Sequence, residues 1–136
     1  MLKMADSGEV AALSAFLNKI TPQNMRLHLN ANNVTLTDAM TVGSFTEASF
    51  PGYASVVLDG ALWQITPGAP AVAAYPVVFF TCTGAVSPQT IYGYYITRDG
   101  AGDLMWAEAL PTPQIITAAG NGLTVAPRLT AKDESD

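Results

Sequence analysis

The side chains best suited to nucleophilic or acid–base chemistry in this sequence are single and scattered. His28 is the only histidine, and Cys82 is the only cysteine. A catalytic triad needs a base that a neighbouring acid orients, and no acidic residue lies beside His28 in the sequence. One histidine and one cysteine also fall short of a zinc site. We therefore expect no catalytic residues, metal or cofactor, with His28 at a surface or interface and Cys82 in the core.

Two acidic residues, Asp99 and Asp103, flank a glycine-rich segment, Gly100-Ala101-Gly102. A calcium loop needs further oxygen ligands at set spacing and a closing glutamate, which this segment lacks. Asp103 and Glu108 would act as a glycosidase pair only if they faced each other across a cleft, and two acids along one strand do not indicate that geometry. The segment is interpreted as a hairpin turn, and the chain is predicted not to be an enzyme.

Aromatic side chains offer a second kind of site, because flat rings stack on the apolar faces of sugars and are enriched at protein interfaces. The candidates for glycan or partner contact are Trp63, Tyr92, Tyr94 and Trp106. Core packing is the first explanation for both tryptophans, since aromatic rings bury large apolar areas.

The charge of the chain disfavours nucleic acid and membrane as direct partners. It has 6 basic and 11 acidic residues, a net charge of −5, and its basic residues are scattered singly. A protein that binds phosphate backbones needs a basic patch. No stretch approaches the roughly 18 to 20 apolar residues of a membrane span. Asp6 and Glu9 interrupt the region where a secretory signal would be apolar, so we expect synthesis in a cytosol.

The composition predicts a folded domain with a neutral surface. Of the 136 residues, 49% are hydrophobic and only 12% are charged. The hydrophobic share excludes disorder for the body of the chain. A surface so poor in charge must be covered by neutral polar side chains, alanine or partner subunits.

The only helical pattern lies near the N-terminus, from Ser7 to Lys19. Ser7 can cap the helix, and Glu9 suits the positive end of its dipole. The apolar residues recur at spacings of three and four and form one stripe: Val10, Leu13, Phe16 and Leu17. This stripe packs on its own domain or meets another protein, and both interpretations remain open. Residues 1–22 are assigned as an N-terminal helical arm.

The rest of the chain predicts strands separated by turns. Residues 25–30 alternate between apolar and polar, and further strand patterns cover 53–58, 62–65, 73–82, 90–98, 103–110, 115–117 and 123–130. Residues 45–50 form a short strand or an irregular edge. Segment 73–82 is the best candidate for a central strand, and Pro111 and Pro113 are expected to end the strand before them. About eight short strands after one helix predict a mainly β protein. Residues 23–130 would form an antiparallel β-sandwich or jelly-roll domain, and residues 131–136 an acidic tail.

Six parts of the sequence, spread over residues 26–130, together resemble small virion proteins of tailed bacteriophages. They are RLHLNANNVT (26–35), FTEASFPGYA (45–54), Trp63, IYGYYI (91–96), LMWAE (104–108) and GNGLTVAP (120–127). The resemblance is to β-sandwich or jelly-roll proteins, most of all to capsid decoration (cement) proteins. Such proteins carry no catalytic residues to transfer.

The resemblance implies a partner, a location and an oligomeric state. The partner would be the major capsid protein, the location the capsid surface of the virion after synthesis in the host cytoplasm, and the oligomer a homotrimer. Segment 1–19 would then be an attachment arm or a trimer-packing element. Related sandwiches also occur in tails, so a tail or head-fibre module that binds a host receptor or glycan is the alternative. A small enzyme is the third hypothesis, and the sequence favours it least.

Overall fold

The computed structural model describes residues 13, 24–37, 39–68, 70–100 and 102–131. This part of the chain is mainly β, as predicted, and its strands pair antiparallel. Short 3-10 helices cover Val42–Ser44 and Gly60–Leu62. The strands are β1 (Met25–Asn30), β2 (Val56–Leu58), β3 (Gln64–Thr66), β4 (Ala71–Ala74), β5 (Val78–Thr81), β6 (Gln89–Arg98), β7 (Leu104–Ile116), β8 (Gly122–Val125) and β9 (Arg128–Ala131).

The strands form three sheets. The largest has the order β2-β1-β6-β7, the second the order β3-β4-β9, and the third pairs β5 with β8. The described residues divide into two compact units. The larger unit contains residues 25–57 and 79–124 with β1, β6 and β7, and the smaller contains β3, β4 and β9.

Strand β6 lies inside the largest sheet, between β1 and β7. Residues 93–97 of β6 are all buried, so both faces of the strand are covered. Strand β1 shows the alternation that the sequence predicts: Met25, Leu27 and Leu29 are at most 2% exposed. In the register of the two strands, Leu27 lies opposite Ile96, and His28 lies opposite Tyr95.

The prediction of one continuous strand over 73–82 is wrong. The structure divides this segment into β4 and β5, with residues 75–77 outside any strand. Pro76 stands in this gap, because its ring nitrogen has no hydrogen to donate to a sheet ladder. The two halves therefore join different sheets. In the same way, the predicted strand 123–130 divides into β8 and β9 before and after Ala126-Pro127.

The prediction that Pro111 and Pro113 end a strand is also wrong. Strand β7 continues through both prolines to Ile116, and the predicted short strand at 115–117 is its last part. Strand β7 lies at the edge of its sheet, where a missing N–H is tolerated. The prolines also lie in a bulge: between the pairs Gly93↔Ala109 and Ile91↔Gln114, residues 110–113 of β7 oppose one residue of β6.

Several sequence predictions fall wholly or partly on residues outside the described part. The predicted helix 7–19 is one of them: Val10, Phe16 and Leu17 lie outside the described part, and only Leu13 is described, as a buried residue.

Segment 45–50 forms a single bridge, Asn30↔Glu47, rather than a strand. The domain bounds stay a prediction. No helix of the described residues is long and apolar enough to cross a membrane.

Candidate functional site

His28 lies at the centre of a group of polar side chains that the sequence did not reveal. Its Nδ1 atom is 2.9 Å from Glu47 Oε1, and its Nε2 atom is 2.9 Å from Thr97 Oγ1. The same Glu47 oxygen accepts a hydrogen bond from the Tyr53 hydroxyl at 2.7 Å. Tyr53 Oη in turn accepts one from the backbone N–H of Leu29 at 3.1 Å. We call His28, Glu47, Tyr53 and Thr97 the histidine cluster.

The fold brings these residues together from distant parts of the chain. His28 and Thr97 stand on neighbouring strands, β1 and β6. Glu47 reaches the same place through its bridge to Asn30 at the end of β1. The His28 ring also stacks on Tyr95, with centroids 4.7 Å apart and planes 8° from parallel. The histidine is thus held by two hydrogen bonds and a stacked ring.

Thr97, His28 and Glu47 follow the order of nucleophile, base and orienting acid in a catalytic triad. A nucleophile must reach its substrate, and Thr97 is only 5% exposed. The His28 side chain is 13% exposed, so it too is mostly enclosed. The cluster therefore cross-links β1, β6 and segment 47–53. His28 is half-buried at the edge of the fold, where Glu47 and Thr97 satisfy its ring nitrogens. That it meets another protein at an interface stays a prediction.

Two tyrosines beside Glu47 make the stability of the fold sensitive to pH in the alkaline range. Burial raises the pKa of Tyr95 to about 12, and the negative charge of Glu47 acts in the same direction. Burial also raises the pKa of Tyr53 above its ordinary value; the hydrogen bond from Leu29 opposes this increase and Glu47 adds to it. Both hydroxyls thus hold their protons more tightly in the folded chain than in the unfolded chain.

We expect the free energy of unfolding to fall as the pH rises above about 10, where the tyrosines of the unfolded chain ionise. The stability that the protonated Tyr95 hydroxyl contributes is fully present below that pH and is lost as the pH rises towards about 12. Urea unfolding at about pH 8 and about pH 11 measures it, and Tyr53→Phe should show a smaller decrease. Equal stability at the two pH values would contradict this account.

A loop after β1 is closed at its base by one asparagine. Asn32 Nδ2 donates to the carbonyl oxygen of Ser44 at 3.0 Å, and Asn32 Oδ1 accepts from the N–H of Thr46 at 2.7 Å. The N–H of Ala31 donates to the carbonyl oxygen of Thr46 at 2.7 Å. The two ends of the loop therefore lie side by side, as in a compact surface loop. We call residues 33–43 the contact loop.

The contact loop carries little charge and exposes two large apolar side chains. Leu36 and Val42 are each 38% exposed, although both are large apolar residues. Asp38 is the only charged residue in the sequence of the loop. Functional residues concentrate on loops that a rigid scaffold holds in place, and the asparagine closure gives this loop such a support.

Replacing Asn32 by alanine should open the base of the contact loop. The change removes two hydrogen bonds of the side chain, and we expect a loss of about 1–2 kcal/mol in stability. Cleavage within residues 33–43 should accelerate in limited proteolysis, since opened loops are the preferred sites of nicking. Asn33→Ala, at the exposed neighbouring position, is the matched control. Equal cleavage of the two variants would show that Asn32 does not close the loop.

A groove of about 700 Å³ lies within the larger unit. Residues 79–81 of β5 and 122–124 of β8 line one side of it, and residues 110–112 and 114 of β7 line the other. The second side is the bulge that contains Pro111. Phe79 is 74% exposed, whereas its neighbour Phe80 is 5% exposed. The prediction of one continuous strand over 73–82 does not distinguish these two rings.

The structure does not gather the predicted aromatic residues into one platform. Trp63 is 0% exposed and packs its ring edge against Tyr75, with centroids 5.2 Å apart. Tyr94 is 4% exposed and donates its hydroxyl hydrogen to Glu108 at 2.7 Å. A sugar needs an exposed ring face, so neither residue suits the predicted glycan contact. Tyr92 and Trp106 are half-buried.

The acidic residues that the sequence singled out form ion pairs and hydrogen bonds. Asp99 pairs with Arg26 at 3.0 Å, and Asp103 lies 3.9 Å from Arg98. Asp99 and Gly100 form a turn directly after β6, as predicted, with a positive φ of 87° at Gly100. Among the described residues, no group of three or more histidine, cysteine or acidic side chains could hold a metal ion. Cys82 is buried, as predicted.

Comparison with known protein families, with curated proteins and with solved structures gives no match for this chain.

Proposed function

We propose that the chain is a structural virion protein of a tailed bacteriophage, most specifically a capsid decoration protein. It would bind the outer surface of the major capsid lattice at several neighbouring subunits. Many modest noncovalent contacts would then add up to a stable attachment. The resemblance of residues 26–130 to such proteins supports this role, and the contact loop is the observation that carries it in the structure.

The contact loop has the properties of a binding element. Its base is fixed by Asn32, which lowers the conformational entropy that the loop loses when it binds. Leu36 and Val42 would exchange water for a partner surface, which is favourable for apolar side chains. The near absence of charge in the loop limits the cost of removing water from it.

The proposal extends to the finer architecture and the oligomer. We propose that the strands of residues 23–130 form a β-sandwich of the jelly-roll kind and that three copies assemble on the capsid. The N-terminal arm, with Val10, Leu13, Phe16 and Leu17, would attach the protein to the capsid or pack the trimer. An experimental structure of the capsid-bound protein would test each of these statements.

Binding to capsids tests the role of the contact loop. Capsids of the encoding phage that lack this protein are mixed with the purified chain and sedimented, and the bound fraction is measured. The double variant Leu36→Ser/Val42→Ser should bind at least about tenfold more weakly, because it removes the apolar contacts of the loop. Val57→Ser is the matched control, since Val57 is 39% exposed and lies in β2, outside the loop.

Two results would count against the proposal. If the wild-type chain does not sediment with capsids, the decoration role is wrong. If the double variant binds as strongly as the wild type, the contact loop is not the binding element.

A further inference from the structure

We propose that the groove between β5, β8 and the bulge of β7 binds a neutral carbohydrate. This function goes beyond the decoration role and does not depend on it. The proposal rests on the exposed Phe79 ring, the neutral polar groups around it and the shape that the bulge gives to the groove.

Phe79 provides the surface on which a sugar ring would stack. Its side chain is 74% exposed, although exposure of a large aromatic ring to water is unfavourable. The C–H groups on one face of a pyranose ring form an apolar surface that matches a flat aromatic ring. Gly122, in the strand that pairs with β5, lines the same groove and adds no side chain that would fill it.

A side chain at position 122 is also sterically excluded. A Cβ atom there would lie well under 3.0 Å from the carbonyl oxygen of Phe80. The glycine is thus required by the close approach of β8 to β5, which fixes the side of the groove that these two strands form.

The polar groups around Phe79 match the hydroxyl groups of a sugar. Thr81, Thr112 and Thr124 contribute hydroxyls to the lining, and Gln114 contributes an amide. Gln114 Nε2 donates to the carbonyl oxygen of Thr112 at 3.2 Å, which fixes the amide beside the groove. Hydroxyl and amide groups both donate and accept hydrogen bonds, as carbohydrate hydroxyls do.

The lining of the groove contains no charged side chain, which favours a neutral ligand. The chain as a whole carries a net charge of −5. A sialylated or sulfated glycan would find no cation to pair with and would be repelled by the overall charge. Removing water from the hydroxyl groups of a neutral glycan costs less than removing it from a charged glycan, and hydrogen bonds to the groove offset that cost.

The bulge of β7 gives the groove its second side. Residues 110–113 project from the sheet because one residue of β6 opposes four of β7, and Pro111 restricts the backbone at that point. The groove is open to solvent, and its volume of about 700 Å³ is within the usual range of ligand sites. Bulges often lie next to binding sites, where they redirect side chains.

A glycan microarray tests the proposal with the full-length chain. The array carries neutral oligosaccharides and their sialylated and sulfated counterparts, and the strongest neutral ligand is then titrated by calorimetry. We expect binding to neutral glycans only. Phe79→Ala and Gln114→Ala should each weaken it at least about tenfold. Both positions are exposed, so the variants should fold, and thermal unfolding checks this.

Ile115→Ala is the matched control. Ile115 is 60% exposed and directly follows Gln114 but does not line the groove, so this variant should bind as the wild type does. The proposal is overturned if no neutral oligosaccharide binds, if only anionic glycans bind, or if folded Phe79→Ala binds as the wild type. It is also overturned if Phe79→Ala weakens attachment to capsids and leaves glycan binding unchanged, since the groove would then be a protein contact.

Discussion

Replacing Trp63 by alanine should lower the free energy of unfolding by about 4 kcal/mol, within the range for truncation of a buried tryptophan. Trp63 is 0% exposed, and its ring packs edge-on against Tyr75. The alanine variant loses the apolar area of the indole ring and leaves a cavity that its neighbours fill only in part. Chemical denaturation monitored by circular dichroism measures the change. The prediction separates a core role for this ring from the surface role that a glycan contact would require.

Phe79→Ala is the comparison for this experiment, because it truncates an aromatic ring that is 74% exposed. Its stability should stay within about 0.5 kcal/mol of the wild type, as is usual for surface substitutions. A small loss for Trp63→Ala together with a large loss for Phe79→Ala would reverse the assignment of core and surface rings.

The second large effect is expected at Gly93 in the middle of β6. A Cβ atom at this position would lie well under 3.0 Å from the carbonyl oxygen of Glu108, and at 3.2 Å from Asn30 Oδ1. The Glu108 oxygen belongs to the backbone of β7, so this strand would have to move away, whereas on β1 only the Asn30 side chain would have to shift slightly. We expect Gly93→Ala to lower the free energy of unfolding by about 3 kcal/mol, at the upper end of the cost of overpacking.

Gly43→Ala is the matched control for this substitution. The nearest atom to a Cβ at Gly43 would be Thr41 Oγ1 at 3.6 Å, which is ordinary van der Waals contact. Its stability should change by less than about 1 kcal/mol, the usual difference between glycine and alanine. If the Gly93 variant were as stable as the Gly43 variant, β6 and β7 would not approach each other as closely as the structure shows.

Much of the fold could be predicted from period-two patterns in the sequence. The alternation in β1 and the aromatic run in β6 are local signals, and each specifies a strand directly. The prolines were harder to interpret. Pro76 separates two strands, whereas Pro111 and Pro113 lie within one, because β7 is an edge strand with a bulge. Whether a proline ends a strand depends on its position in the sheet. The residues next to the proline do not reveal that position.

The candidate sites were harder to predict for a related reason. Glu47 is 19 residues from His28, and Thr97 is 69 residues away, so only the fold brings these three together. The groove depends on strands β5, β7 and β8, which are distant in sequence. Phe79 and Phe80 are adjacent and have the same side chain, yet they point to opposite faces of β5. Pro76 was a local signal of this difference. It limits β5 to a few residues, and so short a strand buries only one of its faces.

The copy number of this chain in purified virions would show whether it decorates the capsid lattice. Quantitative mass spectrometry would compare it with the major capsid protein of the same particles. A decoration protein that covers the lattice predicts a ratio comparable to that of the capsid protein. A far lower ratio would contradict decoration and indicate a tail or fibre protein, and absence from the particle would contradict any structural role in the virion.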